Sequence, residues 1–220
     1  MDALGAYTAD RAAALSGVPK STIHWWARND VLIPSVSDTK VMLWSYSDLM
    51  GLRVIYWLRQ RKTTTRGVEI VRTSMPAVRR ALKELRELNL SLWERDRPSV
   101  LVNANGHVLV KHPGGVHDLS GQVVSEDLLD LIAPFSTSEG TRGPDLITPR
   151  VDLRIVPGKL SGSPHVVHTR LETRALAALA TDGFDVPGIH RLYPYVTPLQ
   201  IAQALELEKQ LEDNLIKRAA

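Results

Sequence analysis

The sequence predicts an α+β fold that is mainly helical, in which helical segments at both ends flank a β-rich centre. Two observations carry this prediction. Apolar residues recur at helical spacing within residues 1–92 and again within residues 150–220. Between these ends, Asn105 and Gly106 separate two short runs rich in β-branched residues. Asn-Gly tolerates the positive φ angles of a type I′ turn, so this stretch indicates a β-hairpin.

Changes in composition divide the chain into four predicted segments. Residues 1–92 form a helical unit with a short β excursion near 33–46, and residues 93–135 form a β-hairpin and strand region. Residues 136–149 are rich in Ser, Thr, Gly and Pro and are predicted to be a linker. Residues 150–220 form a small unit of three helices. Within the second segment, SEDLLDLIAPF is predicted to be a short helix with Ser125 as its N-cap.

Composition limits the class of protein. None of the 220 residues is cysteine, which excludes disulfides, thiolate metal sites and cysteine nucleophiles and fits a reducing compartment. The N-terminus does not resemble a signal peptide. No apolar run approaches the ~20 residues that span a bilayer. We therefore expect a soluble, cytoplasmic protein that does not enter a membrane.

Charge is distributed unevenly along the chain. Residues 1–97 contain 16 Lys and Arg against 10 Asp and Glu, whereas the remaining 123 residues contain 11 and 14. A basic front end suits a polyanionic partner. Solvated arginine-rich helices would give the same counts, so charge alone does not decide between the two.

The first helices have the spacing of a helix-turn-helix. Thr8 is a predicted N-cap, and Gly17 permits a tight turn after the first helix. Ala13 supplies a small residue where two helices cross, and Ile23 supplies an apolar anchor on the second helix. Together these features predict two short helices joined as in DNA-reading motifs.

The second helix has one face to bury and one to expose. Ile23 and Trp26 are three residues apart and share the apolar face. The opposite side is short, polar and basic, and it suits a major groove, where Lys and Arg meet phosphates or guanine edges. The predicted DNA-binding residues on it are Lys20, Ser21, His24 and Arg28, with Trp25 at the margin. A solvated amphipathic helix is the alternative interpretation.

A predicted wing follows the second helix. Residues 34–38 are rich in turn formers and lead to Lys40, a further predicted DNA contact. VMLWSY then forms a short strand, and Ser47 is predicted to cap the next helix. This order of elements is that of a winged helix-turn-helix, whose hairpin lies along the DNA backbone.

Residues 6–90 resemble the MerR-type family of DNA-binding regulators. The matching motifs are Tyr7-Thr8, Gly17-Val18, Thr22-Ile23-His24-Trp25-Trp26, Val31-Leu32-Ile33-Pro34 and Tyr46-Ser47-Asp48-Leu49. His24 replaces the usual arginine and Asp30 the usual glycine. The long dimerisation coil and the effector-binding cysteines of metal-sensing members are absent from the sequence, which excludes metal sensing by that route. The resemblance implies a winged helix-turn-helix that binds DNA.

Residues 153–207 are similar to a small helical domain, once catalogued as of unknown function, of VapB-type antitoxins with MerR-like front ends. The matching residues are Pro157-Gly158, Gly162, Pro164, Val166, Thr169-Arg170, Leu176, Leu179, Gly183, Ile189, Tyr193-Pro194, Thr197 and Ala202-Gln203-Ala204-Leu205. His168 stands where the family has glycine. The resemblance implies a protein partner for this unit.

That implied partner is a VapC-like toxin, a ribonuclease of the PIN-domain class. The antitoxin would neutralise it by occluding its acidic pocket or by placing a basic side chain there, and it would bind operator DNA to repress its own operon. The candidate toxin-binding residues are Arg170, Arg174, Arg191, Lys217 and Arg218. A homodimer or a larger toxin–antitoxin assembly is expected, because inverted-repeat operators mirror two-fold protein symmetry. The alternative is a MerR-like one-component transcriptional regulator without a toxin partner.

The sequence does not indicate an enzyme. His107, His112 and His117 recur every five residues, which places successive side chains on opposite faces of a strand. A metal site needs three or four convergent ligands. We therefore predict no catalytic residue, no metal site and no cofactor.

Overall fold

The structure is a computed structural model. It describes residues 4–60, 62–63, 69–70, 72–87, 99–103, 105–112, 115–118, 128–138 and 140–216. The predictions for Lys217, Arg218 and the Ser125 cap lie outside these residues. Within them, the architecture is α+β and mainly helical, which confirms the predicted fold class.

The N-terminal part consists of two short strands and three helices. In chain order these are β1 (Tyr7–Thr8), α1 (Ala9–Ser16), α2 (Lys20–Arg28), β2 (Leu43–Trp44) and α3 (Tyr46–Arg59). The Thr8 hydroxyl accepts the Arg11 N–H and caps α1, as predicted. α1 ends at Gly17, which has a φ of 77°. β1 and β2 pair antiparallel, with Tyr7 opposite Trp44.

A small hairpin and a fourth helix follow. β3 (Lys62–Thr63) and β4 (Glu69–Ile70) are antiparallel, and α4 (Met75–Glu87) packs against α3. α4 also contacts the central sheet. Its Arg80 guanidinium donates to the Asn105 carbonyl at 2.7 Å, and Glu84 Oε2 accepts the Val108 N–H at 2.8 Å.

The central part is an antiparallel sheet of four strands in the order β7-β6-β5-β8. Its strands are β5 (Ser99–Asn103), β6 (Val108–His112), β7 (Gly115–Asp118) and β8 (Leu128–Asp130). The predicted helix in SEDLLDLIAPF is wrong for its described residues, because Leu128–Asp130 pairs with β5. The free edge of β5 offers this segment a ladder of hydrogen bonds that outweighs its local helix preference.

The predicted hairpin at Asn105 and Gly106 is present, but its turn is longer than a two-residue type I′ turn. Gly106 has a φ of 79° and donates its N–H to the Asn103 carbonyl at 2.9 Å. The Asn103 side chain accepts the N–H groups of Asn105 and His107, each at 3.0 Å. The Asn103 side chain therefore helps to close this loop.

Residues 136–149 differ from the predicted linker because they pack against the first helices. β9 (Phe135–Ser136) and β10 (Arg142–Gly143) form a small antiparallel hairpin. Thr137, Thr141, Asp145 and Leu146 are buried. A Cβ atom added to Gly17 would lie 2.7 Å from the Gly143 nitrogen, so the small residues that suggested a flexible linker instead allow two backbones to meet.

The C-terminal part begins with a short hairpin and ends with three helices. Its elements are β11 (Leu153–Arg154), a 3₁₀ turn (Leu160–Gly162), β12 (His165–Val166), α5 (Thr173–Thr181), α6 (Val186–Leu192) and α7 (Pro198–Ile216). The Thr197 hydroxyl accepts the Gln200 N–H at 3.2 Å and caps α7, as predicted. Gly183 follows α5 with a φ of 95°.

One hydrophobic core runs through all three parts. α7 packs against α5 and α6 on one side and against α1 on another. Buried residues from α1, α3, the central sheet and α7 belong to a single contiguous cluster. The Tyr7 hydroxyl donates to the Gly162 carbonyl at 2.9 Å, which adds a polar link between the N-terminal and C-terminal parts.

Candidate nucleic-acid interface

Helix α2 is anchored by the face that its spacing predicted. Ile23 is fully buried and Trp26 is 7% exposed. Val18 and Leu32, which flank the helix in sequence, are buried with them. The burial of these four residues confirms the predicted inner face and fixes the rotation of α2 about its axis.

The opposite face of α2 is open to solvent. Trp25 is 58% exposed, in contrast to its neighbour Trp26, because adjacent residues lie about 100° apart around a helix. The other predicted contacts on this face are exposed or half-buried: Lys20, Ser21, His24 and Arg28. The helix therefore presents together five of the six residues that the sequence assigned to DNA; the sixth, Lys40, lies in the wing.

The exposed face carries little net charge. Lys20 Nζ lies 2.7 Å from Asp10 Oδ1, and both side chains are about half exposed. An ion pair this exposed contributes little to stability, so Lys20 can exchange Asp10 for a phosphate at low cost. Asp30, two residues after the end of α2, and Asp38 in the wing are also exposed. Binding by this surface would rest on shape and on a few cations.

The predicted wing is a tight excursion between α2 and α3. The Val36 and Ser37 N–H groups donate to the Leu43 carbonyl at 3.2 and 3.1 Å, and the Leu43 N–H donates back to Ser37 at 2.8 Å. Lys40 is exposed near its tip, beside the exposed Val41. The wing thus holds its predicted cation in solvent, on the segment that directly precedes β2.

A carboxylate holds the base of the wing against α3. Asp48 Oδ2 accepts the N–H groups of Ser35 and Ser45 at 2.9 and 2.8 Å and the Ser35 hydroxyl at 2.8 Å. The Ser45 hydroxyl accepts the Asp48 N–H at 3.2 Å, which completes a capping box. The predicted Ser47 cap is wrong: α3 begins two residues earlier than that cap requires, and Ser45 performs this role.

Two family models match parts of the chain. Residues 7–74 match the MerR HTH family regulatory protein model, and residues 154–207 match a protein family of unknown function, DUF433. Residues 7–74 form a MerR-type helix-turn-helix domain. The second match covers β12 and the helices α5 and α6 as well as the first half of α7.

Two curated relatives share a weaker similarity. The HTH-type transcriptional regulator PcaQ of Agrobacterium fabrum and that of Rhizobium radiobacter are each 28% identical over 115 residues. The matches cover 50% of this chain and 34% of each relative, so the chain spans about a third of the length of the curated relatives it matches. Neither relative is described as an antitoxin. No solved structure matches the chain.

Sequence reasoning missed the residue that joins the MerR-type domain to the central part. Arg53 on α3 is fully buried, and its guanidinium donates to six backbone carbonyl oxygens: those of Leu15, Ser16, Leu131, Ile132, Ala133 and Pro144. Burial lowers its pKa to about 10, so the group stays charged at neutral pH. The available signal was a lone arginine inside the apolar run LMGLRVIYWL.

Three of the predicted toxin-binding residues lie in the described part of the chain. Arg170, Arg174 and Arg191 are all exposed. Arg174 Nε lies 2.5 Å from Glu172 Oε2. Lys217 and Arg218 lie outside the described residues.

Neither a metal site nor a membrane span is found in the part of the chain that the structure describes. There, no group of three His, Asp or Glu side chains could hold a metal ion. His107 Nδ1 lies 4.0 Å from one Glu84 oxygen. No third His, Asp or Glu side chain of the described residues joins these two to form a metal site. No described helix is both long enough and apolar enough to cross a bilayer.

Proposed function

We propose that this chain is a MerR-like, DNA-binding transcriptional regulator that acts in the cytoplasm and has no enzymatic activity. One observation carries the proposal: α2 buries Ile23 and Trp26 and turns Trp25 and Arg28 to solvent, within a domain that matches MerR-type regulators. This is the arrangement that a recognition helix needs, because the buried face sets the angle at which the polar face meets a groove.

In the proposed complex, α2 lies in the major groove of double-stranded operator DNA. Arg28 and Lys20 reach phosphates or guanine edges, Ser21 and His24 reach base edges or the backbone, and Trp25 packs against a sugar. Lys40 of the wing contacts a backbone phosphate beside the groove that α2 occupies. The protein binds as a homodimer, because the two half-sites of an inverted repeat require a two-fold protein.

The proposal is tested by selecting DNA with the full chain. The purified protein is used to enrich duplexes from a random-sequence pool, and the affinity of the enriched duplex is measured against salt. Lys20→Ala combined with Arg28→Ala should weaken binding at least about tenfold and reduce the magnitude of the salt slope by about 2. Arg170→Ala is the matched control, since it removes an exposed arginine outside the MerR-type domain. Failure of the wild type to enrich any sequence would contradict the proposal.

We further propose, as a second candidate function, that the C-terminal part binds a protein partner such as a VapC-like PIN-domain toxin. The observation that favours it is a group of exposed large apolar side chains between residues 184 and 199: Phe184, Leu192, Tyr195 and Leu199. Exposed aromatic and aliphatic side chains beside an arginine, here Arg191, are typical of protein interfaces.

Co-expression tests this second function. A PIN-domain ribonuclease encoded beside this chain should co-purify with it and lose its RNase activity. Leu192→Ala combined with Tyr195→Ala should release the ribonuclease, while Val151→Ala, another exposed apolar position, should not. A ribonuclease that neither binds nor is inhibited would leave the one-component regulator as the function.

A further inference from the structure

The last turn of α1 is held by side chains from three distant elements. Carbonyl groups at the end of a helix lack partners inside the helix and normally face water or a cap. Here the Ala14 carbonyl accepts from Asn214 on α7 at 2.9 Å, and the Leu15 and Ser16 carbonyls accept from Arg53 on α3 at 2.9 and 3.2 Å. The Gly17 carbonyl, in the turn itself, accepts from the Thr141 hydroxyl. Four consecutive carbonyl groups are thus fixed from outside the helix.

Asn214 does more than cap one carbonyl. Its side chain is 7% exposed, and its Nδ2 donates to the carbonyls of Ala14 and Arg142 at 2.9 and 2.8 Å. Its Oδ1 accepts the Arg142 N–H at 2.9 Å. A single amide on α7 therefore joins α1 to β10, and the hairpin of β9 and β10 packs in turn on Gly17.

A second contact joins the same two helices nearer the start of α1. Arg11 Nη1 and Nη2 donate to the two Glu208 oxygens at 2.6 and 2.8 Å, and the Thr173 hydroxyl also donates to Glu208. Burial alone would raise the pKa of Glu208, but the hydrogen bond and charge of Arg11 outweigh it and hold that pKa below its usual value. α7 therefore holds α1 at two points, through Glu208 and Asn214.

Movement of α1 must pass to the recognition helix. Only Gly17, Val18 and Pro19 separate α1 from α2, and all three are buried. α1 and α2 also pack directly on each other. Packed interiors shift between discrete arrangements rather than deforming gradually. The position of α7 therefore determines the position of α2 through α1.

We propose that Asn214 and Glu208 are positioning residues for DNA recognition: α7 holds α1, and through it the recognition helix, in the orientation that reads base pairs. This inference rests on the proposed DNA-binding function and names residues of the C-terminal part that contribute to it without touching DNA. It also makes the two parts of the chain thermodynamically linked. Any partner that displaces α7 lowers DNA affinity, and bound DNA lowers the affinity for that partner by the same factor.

The experiment compares Asn214→Ala and Glu208→Gln with the control Glu206→Gln. The Glu206 side chain lies on the same helix, is 69% exposed and pairs with Arg150. Each full-length variant is titrated against the duplex enriched by the wild type and against a random duplex of the same length. Measurements are made at a temperature where circular dichroism shows the variant to be folded. Both test variants should lose about five- to twentyfold in affinity for the enriched duplex. Their salt slopes should equal that of the wild type, because neither residue meets a phosphate.

The outcomes separate the inference from the function on which it rests. A merely structural role would lower the melting temperature and leave the ratio of specific to random affinity unchanged, which would overturn the inference. If Asn214→Ala fails to fold, Glu208→Gln decides alone, since it keeps the side-chain size. Adding Arg11→Gln to Glu208→Gln should cause no further loss, because the two residues act as one contact. If the wild type enriches no sequence, the proposed function fails, and the inference fails with it.

Discussion

Arg53 is a single side chain whose loss should affect most of the fold. Its guanidinium lies fully buried among backbone carbonyls of α1 and of the segment 131–144. Arg53→Ala would leave these carbonyls unsatisfied, and we expect it to lower the free energy of unfolding by about 3–5 kcal/mol. Arg53→Lys should also destabilise strongly, because one ammonium group cannot span carbonyls on both sides as a planar guanidinium does.

Urea denaturation followed by circular dichroism measures both variants. Arg28→Ala is the control, since that exposed arginine should change the free energy of unfolding by less than about 0.5 kcal/mol. An Arg53→Ala variant within about 1 kcal/mol of the wild type would show that water replaces the guanidinium at little cost.

The adjacent tryptophans on α2 should separate stability from binding. Trp26→Ala should lower the free energy of unfolding by about 3–5 kcal/mol, because it empties a buried site. Trp25→Ala should change stability by less than about 1 kcal/mol, since the side chain is mostly exposed, and should weaken binding to the enriched duplex. Thermal denaturation and a binding titration on both variants check this, and equal effects on stability would contradict the assigned rotation of α2.

The two tryptophans and Arg53 also show what a sequence can predict at this scale. The burial of Trp26 and the exposure of Trp25 are predicted correctly, because this prediction needs only the 3.6-residue repeat of one helix. Arg53 was missed because its partners Leu131 and Pro144 lie 78 and 91 residues further along the chain. Helical periodicity contains no information about such distant acceptors.

The proposed contact of the wing with DNA can be measured through the salt dependence of binding. Lys40 is an exposed cation near its tip, and a wing on the DNA backbone would place it beside one phosphate. Lys40→Ala should therefore reduce the magnitude of the salt slope by about 0.9 and weaken enriched and random duplexes alike. Binding titrations from 50 to 200 mM salt would detect this. Thr39→Ala, next to it in the wing, is the control, and an unchanged slope for Lys40→Ala would place the wing away from DNA.

Elements with strong local signals were predicted, and those that depend on distant pairing were not. Thr8, Gly17 and Thr197 mark helix ends through caps and turns that involve only neighbouring residues. The strand at Leu128–Asp130 and the packed hairpin of β9 and β10 depend on β5 and on Gly17, which lie far away in sequence. Their residues alone resemble a helix and a linker, because local preference is weak where tertiary hydrogen bonds decide.

At the scale of the whole molecule, the structure departs most from the predicted division into separate units. The MerR-type domain and the C-terminal helices were predicted from different motifs, yet they share one hydrophobic core. Arg11 and Glu208, which meet across this junction, are 197 residues apart. A polar contact between chain ends of this kind is invisible to a motif search, since either residue alone resembles an ordinary surface charge on an amphipathic helix.

This junction should make part of the stability depend on pH. The pKa of Glu208 is lower in the folded chain than its ordinary value of 4.5, so its contact with Arg11 stabilises the fold fully above pH 4.5 and is lost as the pH falls through the lower folded-state pKa.

Many other carboxylates titrate in the same range, and the informative quantity is the difference between the wild type and Glu208→Gln. At pH 7 this difference in the free energy of unfolding should be about 1–3 kcal/mol, because a charge-assisted contact with little exposure is lost. It should shrink steadily below pH 4.5. Urea denaturation at pH 7, 5, 4 and 3 measures it. Glu206→Gln removes only a solvent-exposed ion pair with Arg150 and should show a difference of less than about 1 kcal/mol at each of these pH values. A difference that stayed constant down to pH 3 would mean that Glu208 holds α1 through its shape and neutral hydrogen bonds, without a contribution from its charge.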